Sequence, residues 1–139
     1  MSLIKLIEFN RLGDDRGALV SLEENKNIPF EIKRVYYIFE TKEDVARGFH
    51  AHKDLQQVAI CVKGSCRFFL DNGIQRESVI LDKPNMGLFI NSMMWREMHD
   101  FSHDCVLMVL ASNYYYEADY IRSYDEFLTA SENNDPSAK

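Results

Sequence analysis

Turn signals interrupt this chain too often for long helices to form. Gly13-Asp14-Asp15-Arg16-Gly17, Asn25 to Pro29, Lys63-Gly64, Asp71-Asn72-Gly73 and Pro84-Asn85 punctuate it. Each combines residues that tolerate left-handed or fixed backbone angles. Between them lie short runs at 4–9, 18–23, 33–40, 47–53, 56–62, 65–70, 75–81, 87–90, 95–101 and 105–111, which alternate or are apolar, several of them rich in β-branched and aromatic residues. Runs of that length and spacing read as strands, and Asn72-Gly73 is the clearest hairpin turn among them. The run at 65–70 follows 56–62 so closely that a tight hairpin is predicted there. About nine to eleven short strands with regular turns predict an all-β sandwich or barrel.

The character changes after Ser112. A tyrosine run at 114–116 leads to Ser123, which can N-cap a short C-terminal helix with Asp125 and Glu126 in its first turn. Residues 131–139 are polar and are expected to form a disordered tail behind a single domain spanning 1–130. A length of 139 residues suits one such domain with a real core. The net charge of −6 and pI near 5.2 argue against nucleic acid as a partner, because phosphate neutralisation needs a basic face. No apolar run approaches the roughly 20 residues of a membrane helix, so no membrane partner is expected. The N-terminus lacks a signal-peptide core, and Cys61, Cys66 and Cys105 sit in apolar runs without Cys-x2-Cys spacing. Both features point to a cytoplasmic protein with free thiols.

Chemistry concentrates in Arg47-Gly48-Phe49-His50-Ala51-His52-Lys53. Strand side chains alternate, so His50 and His52 are expected on one face, about 6.6 Å apart along the strand, with Phe49 and Ala51 opposite. Two imidazoles on one face need a wet cleft or a polar interior. Four residues separate His52 from Gln57, and six separate Gln57 from Gly64. This spacing resembles the first cupin motif, and Gly87 through Met98 resembles the second. In metal cupins the two histidines, an acid and a later histidine hold the ion. Here Gln57 and Arg96 stand at the acid and histidine positions. An amide is a poor ligand for a divalent metal, and a guanidinium is none. The expectation is therefore a metal-free, cofactor-free site in which imidazoles, with pKa values near 6.5, move protons.

The likeness extends beyond the superfamily. Arg47 through Lys53, Gly64-Ser65-Cys66-Arg67, Trp95 through Ser102 and the stretch from Tyr114 to Arg122 resemble the sugar 3,4-ketoisomerases, also described as WxcM-like. The resemblance covers residues 4–128. It implies a cupin barrel (a double-stranded β-helix, or jelly roll) with a short C-terminal helix. It also implies isomerisation of dTDP-4-keto-6-deoxyglucose to a 3-keto-6-deoxyhexose, and a homodimer, with His50 as the base. The chemistry is consistent: the C3 proton lies α to the C4 ketone, so a base there yields an enediol. His52 or Tyr36 then polarises the ketone oxygen or shuttles the second proton, with Tyr36 preferred over Tyr37. Arg16 and Arg47 are the first candidates for a diphosphate, because the guanidinium fork pairs with phosphate oxygens. Lys53 and Arg122 follow, and Trp95 is a candidate for stacking on the base. A 3,5-epimerase-like cupin and a non-catalytic sugar-nucleotide binding module are the competing readings.

Overall fold

The computed structural model describes residues 2–134. Strand β1 (Lys5–Glu8) is followed by a small hairpin, β2 (Leu12–Asp14) and β3 (Gly17–Leu19). Next come β4 (Arg34–Ile38), β5 (Arg47–His52), β6 (Gln57–Lys63), β7 (Cys66–Asp71) and β8 (Arg76–Leu81). The chain continues through β9 (Met86–Ile90), β10 (Trp95–His99) and β11 (Val106–Ala111). A 3-10 turn at Glu117–Asp119, β12 (Tyr120–Ile121) and helix α1 (Tyr124–Asn134) complete it. Two five-stranded antiparallel sheets form, β1-β9-β6-β11-β4 and β12-β5-β10-β7-β8, beside the two-stranded β2-β3 hairpin. This is the all-β barrel with one C-terminal helix that the turn spacing and the cupin-like motifs predict.

The core lies between the sheets. Ala59, Cys61, Leu88, Ile90, Leu107 and Val109 from the first meet Cys66, Phe68, Leu70, Leu81 and Met98 from the second. Each sheet is also covered outside. Ile28 and Phe30, in the segment after the small hairpin, pack on Val58, Ile60 and Leu110. Phe127 of α1 and Ile121 pack on Ala51 and Trp95. Strand β6 is thus buried on both faces, which explains why 57–61 is nearly continuously apolar instead of alternating.

Several local expectations meet their physical causes. Ser123 Oγ accepts the Glu126 N–H at 3.3 Å, capping α1 as its position predicts. The Asn72-Gly73 turn joins β7 to β8, with Asn72 Oδ1 accepting the Ile74 and Gln75 N–H groups at 2.9 Å each. The strand expected over 18–23 stops at Leu19. Beyond it the Asn27 side chain bonds the Glu23 N–H and the Ser21 carbonyl, both at 2.7 Å, and turns the chain into a packed loop.

The predicted hairpin between 56–62 and 65–70 does not form. Strand β6 pairs with β9 and β11, whereas β7 pairs with β8 and β10, so the chain crosses from one sheet to the other at Gly64. Gly64 adopts φ +72°, and a Cβ there would lie 2.9 Å from the Cys105 Cα. The crossing is tied to the 102–105 loop, because Ser65 N–H donates to Ser102 Oγ at 2.9 Å and Ser102 N–H to the Ser65 carbonyl at 2.9 Å. Helix α1 runs past residue 130, and residues 135–139 of the expected tail lie outside the described residues.

Candidate active site

The site is built where β5 lies between β10 and β12. The β5–β10 ladder pairs Arg96 with His50 but Glu97 with Gly48, leaving Phe49 as a bulge. Gly48 sits at φ +94° and Phe49 at φ +58°, both left-handed. A Cβ on Gly48 would approach the Arg96 carbonyl oxygen to 3.1 Å, so glycine suits this close passage. Bulges re-aim the side chains beside them. This one turns Phe49 out against His99, with ring centroids 5.7 Å apart, and brings His50 over His52 with centroids 4.9 Å apart at 87°.

His52 is 1% exposed. It is bonded through Nδ1 to Asp119 Oδ2 at 3.0 Å, and the other oxygen of that carboxylate accepts the Asp54 N–H at 2.8 Å. Burial first, then the Arg96 cation and His50, push the His52 pKa well below its ordinary value. A neutral ring whose Nδ1–H faces a carboxylate carries a bare lone pair on Nε2, and that buried nitrogen has no hydrogen-bond partner among the described residues. Tyr120, aligned with His52 by the β12–β5 register, covers both rings at 4.3 and 5.0 Å. Burial, reinforced by the Arg96 cation, lowers the His50 pKa to about 4. His50 is therefore a neutral base at physiological pH.

His50 borders a cleft of about 310 Å³ together with Arg34, Tyr36, Arg47, Tyr120 and Arg122. Three other cavities of about 420, 440 and 450 Å³ are larger, but no histidine or tyrosine lines them. Titratable chemistry, not volume, marks the site. The Arg34 guanidinium stacks over Tyr36 at 5.3 Å, and its buried Nε has no hydrogen-bond partner among the described residues. Arg122 stacks over Tyr120 at 4.2 Å and binds Glu117 through Nε and Nη2, both at 2.9 Å. The cleft thus offers a neutral imidazole, two phenols and three arginines.

Of the residues singled out in the sequence, His50, His52, Tyr36, Arg47 and Arg122 come together here, and Tyr37 is 64% exposed. His52 sits buried edge-on to His50 without lining the cleft itself, and three others lie away from it. Trp95 is buried on the opposite face of the sheet, edge-on to Tyr124 at 5.3 Å, with Nε1–H donating to Glu97 at 2.9 Å. Its burial against α1 makes it a core residue. Arg16 stands at the tip of the β2–β3 hairpin, paired with Asp14 at 2.6 Å. Lys53 ends the histidine strand exposed, its N–H donating to the Asp119 carbonyl at 2.9 Å. Asp119, Tyr120 and Arg34 escaped sequence reasoning. The alternation of Tyr120 and Arg122 with Ile121 hints at a strand, but nothing local shows that this strand docks on β5.

The cupin metal positions do not suit a divalent ion. The Gln57 carbonyl oxygen accepts from Arg96 Nη1, and that guanidinium, 2% exposed, places a fixed cation at the fourth position. The buried thiols of Cys61, Cys66 and Cys105 lie within 4.8 Å of one another. Burial pushes the Cys105 thiol to about 12, and contact with Cys66 together with burial shifts Cys61 the same way, so these two thiols act as neutral core groups.

Fold and site together define a cupin whose metal positions hold Gln57 and Arg96 in place of ion ligands. Residues 2–132 match the family model described as FdtA, WxcM-like, C-terminal. The chain is 60% identical over 123 residues, 88% of each protein, to TDP-4-oxo-6-deoxy-alpha-D-glucose-3,4-oxoisomerase of Aneurinibacillus thermoaerophilus. A 3,4-ketoisomerase structure from Helicobacter canadensis superposes with a TM-score of 0.91 at 53% identity, covering 95% of this chain and 98% of that one. A sugar 3,4-ketoisomerase from Thermoanaerobacterium thermosaccharolyticum, solved with TDP, gives 0.92 at 44% identity over 95% and 96%. A histidine-to-asparagine variant of that protein was solved with TDP-4-keto-6-deoxyglucose. This chain belongs to the WxcM-like family of sugar 3,4-ketoisomerases.

Proposed function

We propose that the protein isomerises TDP-4-keto-6-deoxyglucose to a TDP-3-keto-6-deoxyhexose. The observation that carries this reading is the neutral His50 imidazole beside Tyr36 in an arginine-lined cleft. His50 takes the proton from C3, and the C–H electrons form a C3=C4 double bond. The C4 oxygen, becoming a hydroxyl, takes the proton of Tyr36. Protonation of C4 by the His50 imidazolium and loss of the C3 hydroxyl proton then leave the ketone at C3. His52, whose Nε2 has no partner among the described residues, is suited to relay that hydroxyl proton to the Tyr36 phenolate, so that His50, His52 and Tyr36 all end as they began. Preorganised donors and a correctly protonated base supply the barrier reduction. Arg34, Arg47 and Arg122 supply the cations for the diphosphate.

The same reading extends to a cytoplasmic homodimer. The outer face of edge strand β4 and the residue just after it support the assembly, with Val35, Tyr37 and Phe39 exposed at 51, 64 and 54%. Light scattering on the purified protein reports its mass in solution.

Incubation with TDP-4-keto-6-deoxyglucose in D2O, followed by NMR, tests the reaction. A product with the ketone at C3 and hydrogen or deuterium at C4 is expected. Deuterium at C3 and C5 with the C4 ketone retained would instead identify an epimerase, and binding without change a non-catalytic module.

A further inference from the structure

Beneath the cleft, a row of hydrogen bonds joins three residues from three strands. Arg96 of β10 is buried and has no acceptor atom on its guanidinium. Its Nε and Nη2 donate to the Met94 carbonyl at 3.2 and 3.0 Å, and its Nη1 donates to Gln57 Oε1 of β6. An amide that faces an arginine must present its oxygen, so the Gln57 nitrogen is turned the other way. There Nε2 meets the Tyr36 hydroxyl oxygen of β4 at 3.1 Å. An amide nitrogen has no lone pair to offer. Tyr36 Oη is therefore the acceptor, and the phenolic proton must point away from Gln57.

We propose that Gln57 is a positioning residue: pinned by Arg96, its amide commits the Tyr36 hydroxyl to donate its proton into the cleft, at the ketone oxygen of the substrate. The inference rests on the isomerase reading above. Tyr36 lines both the cleft and the small space between Gln57, Arg96 and His50, so its proton has the cleft as its outlet. Burial holds the phenol pKa up and keeps that proton in place. A glutamate at position 57 would reverse the arrangement. Its carboxylate would accept from Arg96 and from Tyr36 alike, and the phenol would donate downward instead of to the substrate.

The test is a double-mutant cycle of Gln57→Glu with Tyr36→Phe, with turnover measured at pH 8, where His50 is neutral. Gln57→Glu alone is expected to lower kcat about 10²-fold, the scale of one lost donor at a developing oxyanion, with KM little changed. In the Tyr36→Phe background the same substitution is expected to cost nothing further, because the hydroxyl it acts through is gone. Should Gln57→Glu fail to fold, Gln57→Met in the same two backgrounds makes the same discrimination. Equal penalties in both backgrounds, or wild-type kcat for Gln57→Glu, would overturn the inference. Those outcomes in an active enzyme count against Gln57 alone, whereas a wild-type protein that turns over no ketosugar counts against the proposed function as well.

Discussion

Asp119 Oδ2 holds His52 Nδ1 at 3.0 Å, while its other oxygen binds the Asp54 backbone. The carboxylate is fixed from both sides, and it fixes the tautomer of a histidine 67 residues away in sequence. The second imidazole thereby becomes an acceptor at Nε2.

If the pair sets the tautomer, Asp119→Asn should leave the fold intact while lowering kcat. An amide can present its nitrogen to Nδ1 and drive the proton to Nε2. A loss of about 10²-fold is expected, within the range of one general acid–base contribution. Steady-state kinetics with a melting curve checks it, and an unchanged kcat would remove Asp119 from the mechanism.

His50→Asn should abolish turnover, by about 10³-fold or more, while TDP affinity stays close to wild type. The substitution removes the base but not the arginines of the cleft. Calorimetric titration with TDP beside the kinetic assay separates the two effects.

The pH dependence follows from the sign of the shift. His50 is pushed down to about 4, so its neutral form is favoured in the folded protein. The acid limb of kcat/KM should therefore fall near pH 4, not near 6.5. For stability, the unfolded chain binds the His50 proton from about pH 6.5 downward, before the folded protein does. The contribution of His50 is thus complete above about pH 6.5 and lost as the pH falls toward 4. His50→Asn should show a shallower decline of Tm across that window. Arg96→Met, which removes the cation with the largest share in that lowering, should raise the His50 pKa, as read by imidazole NMR.

Two glycines make opposite predictions for activity. Gly48→Ala forces a side chain into φ +94° against the Arg96 carbonyl, a strain of about 1–3 kcal/mol, and it disturbs the bulge that aims His50. Both Tm and kcat should fall. Gly64→Ala, at φ +72° against the 102–105 loop, is strained as well but lies at the sheet crossing. It should lower Tm and leave kcat per folded molecule unchanged. Kinetics normalised to the folded fraction separates them.

Local chemistry made much of this molecule readable. Turn residues separated most of the strands, though not β2 or β12, Ser123 placed the start of the helix, and the period-two alternation put His50 and His52 on one face. Those features depend on interactions within a few residues, and the sequence states them directly. The sheet crossing at Gly64 was not readable, because strands that are adjacent in sequence were free to pair either with each other or with distant strands. Burial of β6 on both faces decided that choice. Nor did spacing reveal that Asp119 and Tyr120 would reach the histidine strand, or that Trp95 would face α1 instead of the cleft. Partners far apart in the chain are chosen by which apolar faces must be covered, and that is settled only when the whole barrel closes.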